Sequence, residues 1–110
     1  LESGLLTGKY RKGAELPAGS RLEEWAELPH GAMFLQETMF DATEALIDYA
    51  ESKNRTILEL GLSWLAALPE IPSVIAGATT PEQIEANVVA CSWTLSDEER
   101  DAIEELRPAK

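Results

Sequence analysis

The 110-residue sequence predicts an α/β chain that is mostly helical with one clear strand. Three capping signatures and one β-rich run carry that reading. Thr56 with Glu59, Thr80 with Gln83, and Ser96 with Glu99 each set a hydroxyl three residues ahead of a Glu or Gln, the pattern that opens a helix. Val74 and Ile75 lie within Ser73–Ala78, where β-branched side chains favour a strand. That run leads straight into Thr80-Pro81, a good N-cap followed by a residue whose fixed φ suits the first helical turn.

In chain order, residues 1–21 hold Gly4, Gly8, Gly13, Pro17 and Gly19 and read as an irregular loop. A short helical turn is predicted over Leu22–Leu28, stopped by Pro29-His30-Gly31. Phe40, Leu46, Ile47 and Ala50 mark the apolar side of a helix from Met39 to Ser52. The Thr56 cap opens a helix reaching about Leu68, which Pro69 ends. After the strand come a helix over Pro81–Ala90 and an acidic helix from Ser96 to near Leu106. There is no internal repeat and no low-complexity tract.

Two of these elements ask for company. A single strand at Ser73–Ala78 has no ladder partner for its N–H and C=O groups. The helix at 56–68 carries Ile57, Leu58, Leu60, Leu62, Trp64, Leu65 and Leu68, so it is apolar nearly all round and wants burial on most sides. Left uncovered, that surface predicts self-association.

Composition narrows the function classes. The formal net charge of −11 argues against nucleic-acid binding. No apolar run approaches the roughly 18 residues of a membrane span, and a lone Cys91 forms no internal disulfide, which suits a reducing, cytoplasmic setting. The charge is uneven, because residues 1–21 hold Lys9, Arg11, Lys12 and Arg21 against only Glu2 and Glu15. The glycines before Lys9 do not make a nucleotide phosphate loop: three residues separate Gly4 from Gly8 where about four are needed, and Tyr10 stands where a Ser or Thr would hold magnesium. One His, one Cys and carboxylates on exposed helix faces predict no metal site.

The junction Val74-Ile75-Ala76-Gly77-Ala78-Thr79-Thr80-Pro81-Glu82-Gln83-Ile84-Glu85-Ala86-Asn87 places a helix N-terminus at the carboxyl edge of a strand, where α/β folds hold phosphates. Gln83 and Asn87 stand four apart, so both amides project from one helix face. This stretch resembles the cofactor-phosphate segment of the aldo/keto reductases, and Ser3-Gly4-Leu5-Leu6-Thr7-Gly8-Lys9-Tyr10 is similar to that family's loop after the seventh strand. The resemblance covers nearly the whole chain. A complete (β/α)8 barrel needs roughly 200 residues or more, and the sequence starts at Leu1. The expectation is therefore the C-terminal fragment of a (β/α)8 TIM barrel, with its last two βα units. It would comprise a cofactor loop and short helix (1–37), helices (38–72), the last strand and phosphate-binding helix (73–90) and a C-terminal helix (91–110).

What the resemblance implies is a cofactor site and no catalytic one. Leu1, Ser3 and Lys9 match diphosphate-side contacts, and Arg21 matches the arginine that packs on adenine or reaches its phosphate. Gly77, Thr79, Gln83 and Asn87 match the group around the ribose 2′-phosphate and adenine. The chemistry suits them: a dianion takes short donors and a cation, and an adenine edge takes amides that donate and accept. The implied cofactor is NADP (NADPH) in preference to NAD, with a small carbonyl substrate in the intact protein. Ala86 replaces an acidic residue found in many members, while Gly77 and Gln83 stand where others carry Lys and Arg, so the NADP preference rests on Arg21 and Thr79. The family's catalytic Asp, Tyr, Lys and His fall outside this sequence, and His30 matches none of them. The chain alone is therefore expected to be inactive. The alternative is a non-catalytic acidic helical piece acting through self-association or partner binding.

Overall fold

The computed structural model describes residues 2–108. After an irregular helical turn at Glu2–Thr7, six α-helices follow: α1 Arg21–Trp25, α2 Pro29–Phe34, α3 Glu37–Ser52, α4 Ile57–Ala66, α5 Pro81–Ala90 and α6 Asp97–Leu106. Five of them start at or within two residues of the predicted positions. Thr56 and Ser96 each form a reciprocal capping box with Glu59 and Glu99, and Thr80 caps α5 by accepting from the Gln83 N–H.

The expectation of one clear strand in a barrel fragment is corrected here: among the described residues the chain is all-helical, with no strand. Residues 73–78 are unpaired and carry no ladder. The physical reason is that a strand exists only through its neighbours, and the described residues supply no second one. The local tendency nonetheless survives as an alternation. Val74 and Ala76 are half-buried and line a cavity beside α4 and α5, while Ile75 is 97% exposed.

Helix α4 is the hub. Helices α3 and α5 and the Glu2–Thr7 turn all pack on it, and α6 packs on α3. Ile57, Leu60 and Leu62 are buried, and Leu58, Trp64 and Leu65 half-buried, so the all-round apolar pattern is largely satisfied within the chain. Leu46, Ile47 and Ala50 of α3 meet Ile57 and Leu60 of α4, closed by Trp93, Leu95 and Ile103. A second cluster of Leu5, Tyr10 and Leu22, flanked by Leu16, Trp25 and Phe34, fastens the N-terminal region.

Proline and glycine at 29–31 do not stop a helix; they begin one. Pro29 occupies the first turn of α2, where its missing N–H costs nothing. Gly31 sits against Trp25, and a Cβ there would lie 1.9 Å from the Trp25 carbonyl oxygen.

An ion pair between distant segments holds the basic loop down. The Arg11 guanidinium donates to both Glu44 carboxylate oxygens at 2.8 and 2.7 Å, and the Lys12 N–H adds a third bond at 2.9 Å. Lys12 Nζ pairs with Asp41 and Glu37. The Arg11 hydrogen bonds hold the Glu44 carboxyl down from its ordinary 4.5 to about 2. A folded-state value below the unfolded one contributes stability that is full above about pH 4.5 and lost as pH falls towards 2. Glu44→Gln should therefore melt below wild type at neutral pH, with the gap closing as pH drops through that window. The gap is expected to be small, since the pair is partly solvated. A gap that stays constant across the window in thermal scans would rule out this linkage.

Candidate functional site

The α5 mouth is assembled from hydrogen bonds within five residues. Thr80 Oγ1 accepts from the Gln83 N–H at 3.2 Å. The reciprocal arm does not return to Thr80, as the predicted capping box has it. Gln83 Oε1 instead accepts from the Thr79 N–H at 2.7 Å and from the Thr79 hydroxyl at 3.1 Å. The glutamine thus reaches one residue further upstream than Glu59 and Glu99 do at their own caps. Gly77 is exposed, with no atom within 4 Å of where a Cβ would stand, so the approach from that side is open. Asn87 is half-buried and lines a cavity of about 220 Å³ with Leu62, Val74, Ala76, Ala78, Ile84, Val88 and Cys91.

The other predicted residues lie around the N-terminal turn. Ser3 and Gly4 both have positive φ, 55° and 104°, which bends the turn sharply. Lys9 folds back over this bend: a Cβ on Gly4 would meet Lys9 Cε at 2.7 Å, and Lys9 Nζ stands 5.1 Å from the Tyr10 ring centroid. Arg21 opens α1 with its guanidinium 5.5 Å from the Trp25 ring centroid. Leu1 lies outside the described residues. Among those described, Lys9 and Arg21 are in no ion pair, whereas Arg11, Lys12, Arg55, Arg100 and Arg107 all are.

The structure thus joins Thr79 with Gln83, and gathers Ser3, Gly4 and Lys9 on one turn. It does not join the two groups. A larger cavity of about 470 Å³, lined by residues including Leu5, Leu6, Leu46, Leu60, Trp64 and Ile103, takes no residue from α5, and the smaller one takes none from residues 1–21. What the groups share is a support, since both the N-terminal turn and α5 rest on α4.

Potential acid and base groups are placed without a partner for chemistry. His30 is exposed and meets Trp25 edge-on, with centroids 4.9 Å apart at 75°. Tyr10 is buried, and its hydroxyl accepts from the Leu22 N–H at 3.2 Å. No cluster of three metal-ligating side chains occurs among the described residues.

One supporting residue escaped the sequence reading. Ser63 is 2% exposed, and its hydroxyl donates to the Ala90 carbonyl at 2.8 Å, pinning the end of α5 to α4. The available signal was a hydroxyl inside an otherwise apolar helix, since a buried one needs a partner.

An extended segment leads into the capped helix α5, and upstream in the chain a glycine-bent turn meets Lys9. The chain belongs to the aldo/keto reductase family, whose model matches residues 1–108. It is 38% identical to a probable voltage-gated potassium channel subunit beta of Arabidopsis thaliana, over 82% of this chain and 27% of that protein. It is 33% identical to the L-glyceraldehyde 3-phosphate reductase of Escherichia coli O157:H7, over 96% of this chain and 31% of the enzyme. The NADH-specific methylglyoxal reductase of Escherichia coli K12 is 31% identical over 99% of this chain and 32% of the enzyme. The chain therefore spans about three tenths of the length of these relatives. The family is one of oxidoreductases that use nicotinamide dinucleotides. Among the described residues no helix is long and apolar enough to cross a membrane.

Proposed function

We propose that this chain is the cofactor-clamping C-terminal part of an NADP(H)-dependent aldo/keto reductase. The observation that carries the reading is the α5 mouth, where Thr79, Thr80 and Gln83 organise a helix N-terminus inside a family-matched segment. Thr79 and the N-terminal backbone donors face the ribose 2′-phosphate, and the partial positive charge of the helix end favours that dianion. Asn87 offers an amide to adenine, while Ser3 and Lys9, with Leu1, serve the diphosphate. Arg21 would supply the cation, its guanidinium standing 5.5 Å from the Trp25 ring centroid. A charged partner is needed because the chain as a whole carries −11 and would otherwise repel a phosphate.

When bound, NADPH supplies a hydride to a carbonyl carbon; this chain's residues only hold and orient it. Tyr10 is committed to the Leu22 N–H and His30 to the edge of Trp25, so neither is set to protonate a carbonyl oxygen. By itself the chain is expected to bind without turning over. The test is a fluorescence titration with NADPH. Saturable binding is expected, weakened roughly tenfold or more in Arg21→Ala, the size of a lost charge-assisted contact. Wild-type binding that Arg21→Ala leaves unchanged removes Arg21 from the clamp.

A second reading has its own support. Ile75 on the extended segment and Ile84, Val88 and Val89 on α5 are each exposed. If NADPH does not bind and sedimentation shows a concentration-dependent dimer, the chain is an association module instead. A regulatory cofactor-binding subunit is the related variant, given relatives named as potassium channel beta subunits.

A further inference from the structure

Tyr10 makes a buried contact that neither its ring packing nor the cofactor reading requires. The residue is 1% exposed, and its hydroxyl oxygen accepts from the Leu22 N–H at 3.2 Å, twelve positions along the chain. Burial would raise the Tyr10 hydroxyl, yet the Leu22 N–H, with the Ser20 hydroxyl and Lys9 adding to it, brings it below its ordinary value. The oxygen is thereby set as an acceptor. A peptide unit is planar, so the Leu22 nitrogen shares one rigid plane with the carbonyl and Cα of Arg21. Holding that N–H fixes the plane from which the Arg21 side chain departs. Lys9 directly precedes Tyr10, and its ammonium stands 5.1 Å from the Tyr10 ring centroid. The two residues that this bond brings into one frame are thus both cations, and among the described residues neither has a carboxylate partner.

We propose that Tyr10 is a positioning residue of the cofactor clamp: its hydroxyl fixes the Arg21–Leu22 peptide and so holds Arg21 in register with Lys9. This rests on the cofactor reading above and adds a residue that, being buried, touches no nucleotide itself. A cation that must be ordered as the phosphate arrives loses affinity to that ordering, whereas one set beforehand does not. Helix α1 cannot set Arg21 alone. It has five residues and no side-chain cap bond from Ser20, and a helix that short is unstable by itself. The ring of Tyr10 packs with Leu5 and Leu22, a task that phenylalanine would perform equally. Only the hydroxyl supplies the tie.

Four forms of the 110-residue chain test this: wild type, Tyr10→Phe, Arg21→Ala and the double variant. Tyr10→Phe keeps the ring, and circular dichroism should show its helix content unchanged. Without nucleotide, NMR hydrogen exchange should show the Leu22 amide protected in wild type and roughly tenfold faster in Tyr10→Phe. In fluorescence titrations Tyr10→Phe should weaken NADPH roughly fivefold. In the Arg21→Ala background the same change should shift NADPH by less than about twofold, because a residue acting through Arg21 then has nothing to act through. A merely structural role would not produce that coupling. Equal losses in both backgrounds overturn the inference, as does a Tyr10→Phe chain that binds NADPH like wild type. So does a freely exchanging Leu22 amide in wild type, or a Tyr10→Phe chain without helical signal, where the bond holds the fold and not the cation. In each of these cases NADPH binding by wild type keeps the cofactor reading. If wild type binds no NADPH, that reading falls and the inference falls with it.

Discussion

Gly31→Ala is expected to destabilise the chain by about 3 kcal/mol, near the top of the range for overpacking, and to lower Tm by roughly 15 °C. The added Cβ would stand 1.9 Å from the Trp25 carbonyl oxygen, 2.6 Å from its carbon and 2.8 Å from Trp25 Cβ. Two of those three atoms are backbone, so no rotamer change relieves the contact. The Trp25 carbonyl is also the acceptor for the Leu28 N–H at 2.9 Å, which turns the chain from α1 into α2. Relief therefore requires α1 and α2 to separate and Trp25 to leave its place between Arg21 and His30. Circular dichroism melts of wild type and variant measure the effect. A fall below about 4 °C, less than about 1 kcal/mol, would show that the close approach is not maintained.

Gly31 also marks a limit of the sequence. Proline followed by glycine resembles a stop, and only the position of Trp25 reveals that the same residues allow a helix to start against a neighbouring backbone. Signals that act within four residues were readable. Thr56 with Glu59 and Ser96 with Glu99 form complete boxes because both partners lie in one turn, and no distant segment competes for them. Residues 73–78 show the opposite case. Val74 and Ile75 set a local tendency, but a ladder is a relation between segments, and the described residues bring no partner. Arg11 and Glu44 are 33 residues apart, so their bidentate pair becomes visible only once α3 has been placed.

The candidate site divides along the same line. That Thr79 and Gln83 stand at one helix start, with Asn87 a turn further along the same helix, follows from their spacing. That Thr79 and Gln83 satisfy each other does not, because it depends on a side chain folding back along its own helix. The burial of α4 was half legible. Its all-round apolar character was plain, yet the cover comes from α3, α5 and the N-terminal turn, each from a different stretch of sequence. The exposed apolar side chains lie off α4, at Leu28, Met33, Ile75, Ile84, Val88 and Val89, which no pattern on α4 could indicate.

Leu22→Ala is expected to cost about 2–5 kcal/mol, the range for a large-to-small change at a fully buried site. Leu22 is 0% exposed and, with Leu5 and Tyr10, centres the N-terminal cluster. Its backbone N–H is further held by the Tyr10 hydroxyl at 3.2 Å. Helix α1 has only five residues, and Ser20 makes no side-chain cap bond to it. A helix that short has no stability of its own, so packing by Leu22 is what keeps it folded. Arg21 precedes Leu22 on α1, and its place over Trp25 depends on the same anchor. The expected result is therefore double: a loss of stability in urea melts, and faster proteolysis confined to residues 11–35 before the α3–α4 core yields. Loss of the whole fold in one transition would show instead that the two clusters unfold as one unit. An unchanged urea midpoint would contradict the burial of Leu22 itself.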